Sequence, residues 1–184
     1  MKNLMIPALA LFLSAAAQAD DSPLWMRYCA ISPDGQTIAF SYQGDIYTVP
    51  SSGGKARQLT THPAHDTRPV WSPDGQRIAF ASNRSGNFDV FLMNKEGGEP
   101  KRLTHSTNEY PTTFKDNGHI LYLANVLQDA KDIQFPGTRF MQVYEISTDG
   151  GRPDLYSSLY MENIALSKDG SKLLYNDYKG YEDP

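Results

Sequence analysis

The stretch "PVWSPDGQRIAF" at residues 69–80 decides the fold, because "CAISPDGQTIAF" at residues 29–40 nearly copies it. Ser-Pro-Asp-Gly at each site reads as a turn. Proline presets φ for the second position, aspartate bonds back to nearby backbone, and glycine supplies the left-handed conformation that closes the hairpin. Two weaker copies follow: Pro111-Thr112-Thr113-Phe114-Lys115-Asp116-Asn117 and Ile164-Ala165-Leu166-Ser167-Lys168-Asp169-Gly170. Asn117 stands in the glycine position, where asparagine is the next best residue for a left-handed backbone. A catalytic role for Ser32 or Ser72 would require one copy to differ from the others, so the repetition points to architecture.

Each turn leads at a constant offset into an apolar strand: Ile38-Ala39-Phe40, Ile78-Ala79-Phe80, Ile120-Leu121-Tyr122 and Leu173-Leu174-Tyr175. The copies are spaced by 40, 42 and 53 residues. A period near 40 with strand-turn-strand content marks the blades of a β-propeller, each a four-stranded antiparallel sheet. A third strand follows at 46–50 and 90–94, and Gly53-Gly54, Gly97-Gly98 and Gly150-Gly151 turn the chain into an outer strand. Asp45 and Asp89 occupy matching places ahead of the third strand, where they are expected to cap a loop by accepting from backbone amides. The expected fold is all-β: blades at about 24–69, 70–111 and 112–163, plus part of a fourth at 164–184, a truncated propeller. Such an arc does not close by itself, so a self-standing short form would form an open arc or assemble with copies of itself.

The first 19 residues read as an address. Lys2 precedes the apolar run "LMIPALALFLSAAA", and Ala17-Gln18-Ala19 gives a small-x-small cleavage pattern before Asp20. The run is shorter than the about 20 apolar residues of a membrane span, so the mature chain is expected to begin at Asp20, in the periplasm or outside the cell. No membrane contact is expected beyond this signal peptide. With 17 Lys plus Arg against 21 Asp plus Glu and no basic cluster, nucleic acid is an unsuitable partner. Cys29 is the single cysteine, so no internal disulfide forms, and it reads as a small half-buried strand residue.

Two places invite a functional reading. The segment "LANVLQDAKDIQFPGTRFMQ" lengthens the third copy and explains its wider spacing. Long excursions from one propeller face are where ligands and partners touch, which makes Asp129, Lys131, Asp132, Phe135, Arg139 and Phe140 the contact candidates on position alone. In "THPAHD", His62, His65 and Asp66 stand close enough to hold a metal or poise an acid/base pair. The next copy, "THSTNEYP", keeps the first histidine as His105 and puts Asn108 at the second, and a recurring loop position reads as structure. No metal, no other cofactor and no catalytic residue is expected in this chain.

The units "SPDGQTIAFSYQGDIYTVPSSGGKARQLTTHP" and "SPDGQRIAFASNRSGNFDVFLMNKEGGEPKRLTHS" resemble the WD-repeat-like propeller units of TolB proteins, tricorn-type proteases and some prolyl-oligopeptidase relatives. A signal peptide followed directly by "LWMRYCAISPDG", then "PAHDTRPVWSPDG", "QDAKDIQFPGTRFMQVYEISTDGG" and "NDYKGYEDP", is similar to the N-terminal propeller of exported tricorn-like serine peptidases. Cys29 departs from that pattern, which has proline at Pro69 and Pro111. The resemblance implies a non-catalytic ring that guides or gates peptides or unfolded protein toward downstream PDZ-like and protease domains. The alternative it leaves is a TolB-like periplasmic propeller acting as a protein-binding scaffold.

Overall fold

The computed structural model describes residues 25–125, 141–159, 161–167 and 169–177. Fourteen strands run in chain order among them: β1 Arg27–Ile31, β2 Thr37–Tyr42, β3 Asp45–Pro50, β4 Arg57–Gln58, β5 Asp66–Trp71, β6 Arg77–Ser82, β7 Asp89–Asn94 and β8 Lys101–Arg102. They continue as β9 Glu109–Asp116, β10 His119–Asn125, β11 Met141–Ser147, β12 Asp154–Ser157, β13 Met161–Leu166 and β14 Leu173–Asp177. Hydrogen bonding groups them as β1-β2-β3-β4, β5-β6-β7-β8, β9-β10-β11-β12 and the pair β13-β14, all antiparallel. The fold is therefore the expected one, a partial propeller of three four-stranded blades and a two-stranded fourth sheet.

The second strands of the middle blades, β6 and β10, are buried on both faces, because one face meets the preceding blade and the other the following sheet. Successive side chains alternate between those faces. Ala39 and Ile46 of the first blade pack with Ile78, Phe80, Phe91 and Met93 of the second. One residue along, Ala79, Val90, Leu92 and Leu103 of the second blade meet Phe114, Ile120, Tyr122 and Ile146 of the third. Leu121, Leu123 and Val143 then meet Met161 and Ile164 of the fourth sheet. At the first two junctions a small residue, Ala39 or Ala79, shares the cluster with a ring of the next blade, Phe80 or Tyr122, and burying each such ring contributes about 1.5–3 kcal/mol.

The Ser-Pro-Asp-Gly segments form the turns expected of them. Ser32 Oγ donates to Asp34 Oδ1 at 2.5 Å and accepts from the Thr37 amide at 2.9 Å, while Gly35, at φ +73°, donates to the Ser32 carbonyl at 2.8 Å. The same bonds recur at Ser72, Asp74, Gly75 and Arg77, and at Ser167, Asp169, Gly170 and Lys172. Each serine hydroxyl is thus consumed in holding its turn.

Three local expectations are corrected. Asn117 does not take up the left-handed region. With Phe114 where the other copies have serine, the third blade uses a shorter hairpin in which Asp116 pairs with His119, and Asn117 Oδ1 reaches back to accept from the Asp74 amide at 3.0 Å. Asp45 bonds to side chains of the outer strand rather than to backbone amides: Gln58 Nε2 at 2.9 Å and Thr60 Oγ1 at 3.0 Å. Thr60 Oγ1 in turn accepts from the Ile46 amide at 3.0 Å, so the hydroxyl replaces a ladder partner that the two-residue β4 does not supply. Thr104 repeats the part of Thr60 by accepting from the Val90 amide at 2.9 Å, whereas Asp89 accepts a long bond from Asn87 Nδ2 at 3.4 Å and lies 2.8 Å from Arg102 without hydrogen-bond alignment. Cys29 is exposed rather than half-buried, because among the described residues β1 has an inner strand beside it on one side only, whereas the matching Pro69 and Pro111, flanked on both sides, are buried.

Candidate functional site

The innermost strands β1, β5, β9 and β13 stand side by side, and residues 28–30, 68–70, 111–112 and 163–164 line a groove of about 340 Å³ along the inside of the arc. At one end this groove opens into a cleft of about 450 Å³ lined by Trp25, Arg27, Tyr28, Tyr42, Arg68 and Tyr110, among others. The cleft lies on the face that carries the β2–β3 turn and the connections leading into each blade. Asn125 and Met141, the paired residues that bound the third-blade insertion, are at that face as well.

Local backbone strain converges on this cleft. Among the described residues, the non-glycine positions with positive φ are Trp25 at 76°, Tyr28 at 53°, Gln43 at 50° and Arg68 at 54°, and all four line it. Gln43 has a turn reason, since it forms a two-residue hairpin with Gly44 at φ +91°. Tyr28 and Arg68 have none. They sit in bulges, where pairing slips between Arg27 and Ala30 and between Thr67 and Val70, and each such conformation costs about 1–3 kcal/mol. The bulge turns the side chain out of the blade and aims it into the cleft.

Arg68 is held there by rings from two other blades. Its guanidinium lies 5.1 Å from the Tyr28 ring centre and 4.5 Å from that of Tyr110. Tyr110 packs on Phe88 at 5.3 Å, and Phe88 meets the His65 ring edge-on at 6.1 Å. Burial raises the Tyr110 hydroxyl above the ordinary tyrosine range, and the Arg68 charge only partly opposes it. Arg27 stacks on Trp25 at 5.2 Å. Among the described residues neither arginine has a carboxylate partner. The cleft therefore offers two cations and a row of aromatic faces, chemistry suited to carboxylates, peptide carbonyls and flat side chains.

The residues singled out in the sequence are distributed differently. Asp129, Lys131, Asp132, Phe135, Arg139 and Phe140 lie outside the described residues. His62 Nδ1 accepts from the Ala64 amide at 3.0 Å and so closes its own loop, while His65 faces Phe88. Asp66, completely buried, forms a two-pronged pair with Arg84 at 2.9 and 3.1 Å. The three are thus directed to three separate partners, and among the described residues no group of three or more His, Cys, Asp or Glu is placed to hold a metal ion. Sequence reasoning passed over Tyr28, Arg68 and Tyr110. Their signal was positional: each stands immediately before the matched Cys29, Pro69 and Pro111.

Comparison with known proteins places this geometry. The family model for the tricorn protease N-terminal beta propeller domain matches residues 23–183. Tricorn protease homolog 1 of Streptomyces coelicolor is 34% identical over 84 residues, 46% of this chain and 8% of that protein. An uncharacterized protein of Agrobacterium fabrum is 26% identical over 160 residues, 80% of this chain and 53% of that one. The chain thus spans about half or less of the length of these curated relatives. Among solved structures, a putative TolB from Agrobacterium tumefaciens superposes with a TM-score of 0.66 at 26% identity, over 86% of this chain and 57% of that chain. The tricorn protease superposes with a TM-score of 0.60 over 77% of this chain and 14% of that chain, a likeness of fold at 19% identity.

Proposed function

The chain belongs to the tricorn protease N-terminal beta propeller family, and from that premise we propose that it is the non-catalytic propeller portion of an exported serine peptidase. In this reading residues 1–19 are a cleaved signal peptide, residues 20–184 form the propeller segment, and the working compartment is the periplasm or the cell exterior. The propeller guides peptides or unfolded segments toward PDZ-like and protease domains downstream. The third-blade residues Asp129, Lys131, Asp132, Phe135, Arg139 and Phe140 act as contacts for peptide or neighbouring domain, since their insertion joins the blade at the face of the cleft.

The observation that carries the reading is the convergence of strained Tyr28 and Arg68 on one cleft at the end of the inner groove. Strain held at matching bulges of successive blades is retained where side-chain aim matters. Trp25 supplies the test, because this residue lines the cleft and is 74% exposed. Titration of the chain with N-acetylated hexapeptides should change Trp25 fluorescence saturably, and Arg68→Ala should weaken binding at least tenfold. Peptide binding unaffected by Arg68→Ala would remove the cleft from the mechanism.

A second reading, a TolB-like protein-binding scaffold, is favoured by the 26% identity and TM-score of 0.66 to the putative TolB structure. A scaffold of that kind holds a folded partner and gives no response to short peptides.

A further inference from the structure

A second cavity, of about 240 Å³, lies in the third blade and is lined by Glu109, Tyr122, Ala124, Asn125 and Tyr144, with Ser106, Thr107 and Pro153 at its rim. Its meaning emerges from the same place in the other blades. In the second blade, Phe80 and Phe91 are paired across β6 and β7 and stack at 6.0 Å. The Arg84 guanidinium covers both rings, at 5.7 and 4.8 Å, and bonds to the Asp66 carboxylate behind them. In the first blade, Phe40 and Tyr47 form the matching stack at 5.8 Å, and the ring of Tyr42 covers Tyr47 edge-on.

The third blade repeats the floor and the acid. Tyr122 and Tyr144 are paired across β10 and β11 and stack at 5.8 Å. Glu109 takes the place of Asp66: Asp66 pairs with Ser82 and donates its amide to Gly44, and Glu109 pairs with Ala124 and donates its amide to Phe88. Among the described residues, what is missing is the cover. Among the described residues no basic side chain pairs with Glu109, and the nearby Arg102 is committed to Asp89. Where Arg84 lies in the second blade, the third has the cavity.

The walls of this slot offer acceptors and ring faces. Glu109 is 2% exposed and accepts a long bond from the Ser106 amide at 3.5 Å, and Asn125 Oδ1 is buried with no donor among the described residues. Desolvation raises the Glu109 carboxyl above the usual glutamate range, and burial, followed by the Glu109 charge, raises the Tyr122 hydroxyl. A buried carboxylate and an unfilled amide oxygen beside two stacked rings call for a flat cation with several N–H donors. We propose that the Glu109–Asn125–Tyr122–Tyr144 slot of the third blade is a binding site for a guanidinium group, the arginine side chain, in the position that Arg84 fills in the second blade. The proposal does not rest on the peptide-guiding reading of the Arg68 cleft. The guanidinium can come from an arginine-containing ligand or from the chain's own insertion, and the test separates these sources.

The probe is N-acetylarginine amide, titrated calorimetrically into the full chain, with N-acetylcitrulline amide as the uncharged control of the same shape. Binding of the arginine probe at least tenfold tighter than the citrulline probe, reduced at least tenfold by Glu109→Gln and unchanged by Arg68→Ala, supports an external ligand. Binding seen only after Lys131→Ala and Arg139→Ala are combined, and lost again on adding Glu109→Gln, supports the same site filled by the chain itself. Asn125→Leu should weaken binding in either case and is a second probe of the slot should Glu109→Gln perturb folding. The proposal is overturned if neither background prefers arginine over citrulline, or if that preference survives both slot substitutions.

Discussion

The indole nitrogen of Trp71 donates to the carbonyl oxygen of Ala30 at 3.1 Å, joining the innermost strands of the first two blades. The bond crosses a junction otherwise sealed by apolar packing of Ile46, Leu59, Ile78 and Phe80. Trp71→Phe keeps most of the ring and removes the donor. We expect a loss of about 1 kcal/mol in urea-induced unfolding, with near-native far-ultraviolet circular dichroism. An unchanged midpoint would mean that the bond contributes nothing net.

The Asp66–Arg84 pair carries a larger penalty when broken on one side. Asp66 is fully buried and the Arg84 side chain is 13% exposed. Arg84→Met leaves a buried carboxylate without its cation and should destabilise the chain by about 3–5 kcal/mol. Adding Asp66→Asn should restore a large part of that loss. A double variant no more stable than Arg84→Met would show that packing on Phe80 and Phe91 outweighs the charge.

Acid should weaken the turns in a defined window. The Ser167 hydroxyl, then the Ser171 amide, hold the Asp169 carboxyl down to about 2 from the ordinary 3.8. Asp34 and Asp74 are lowered in the same way by Ser32 and Ser72. A carboxyl depressed on folding stabilises the chain fully above its unfolded pKa, and that contribution is lost as pH falls through the folded value. The melting temperature should therefore fall between pH 4 and about pH 2. The triple Asp34→Asn, Asp74→Asn, Asp169→Asn variant should show a shallower slope, and a parallel slope would assign the acid sensitivity to other groups.

Gly53 and Gly97 open equivalent turns at φ +87° and +82° but differ in surroundings. A Cβ at Gly53 meets nothing within 4 Å, whereas one at Gly97 sits 3.1 Å from the Leu59 carbonyl oxygen. Gly53→Ala should cost about 1–2 kcal/mol, the left-handed penalty alone. Gly97→Ala should cost more, because the first blade must also shift. Equal losses would show that Leu59 yields without cost.

The propeller was legible because its turns need particular residues. Proline, aspartate and glycine at 33–35 and 73–75 reflect φ values and hydrogen bonds that few others satisfy, and the apolar strands follow at fixed offsets. The cleft was not legible for the opposite reason. Tyr28 and Arg68 adopt positive φ without being glycine, so composition gives no sign of the bulges that turn them outward. The kinship of Glu109 with Asp66 was concealed by those same bulges. Counting residues aligns Glu109 with Thr67, and only strand pairing brings it opposite Ala124, in the place where Asp66 faces Ser82. Asp45 and Asp89 were recognised as equivalent, but Thr60, the partner of Asp45, lies 15 residues away along the chain and meets it only across the sheet.

The brevity of β4 and β8 has a consequence for how the molecule meets its neighbours in a crowded compartment. Each outer strand pairs over only two residues, and those residues, Arg57-Gln58 and Lys101-Arg102, are polar or basic. A rim so short and so charged is a poor template for a foreign β-strand, since an incoming chain would gain few ladder bonds while meeting positive charge. The outer edges of the first two blades are thus poorly suited to amyloid-like growth.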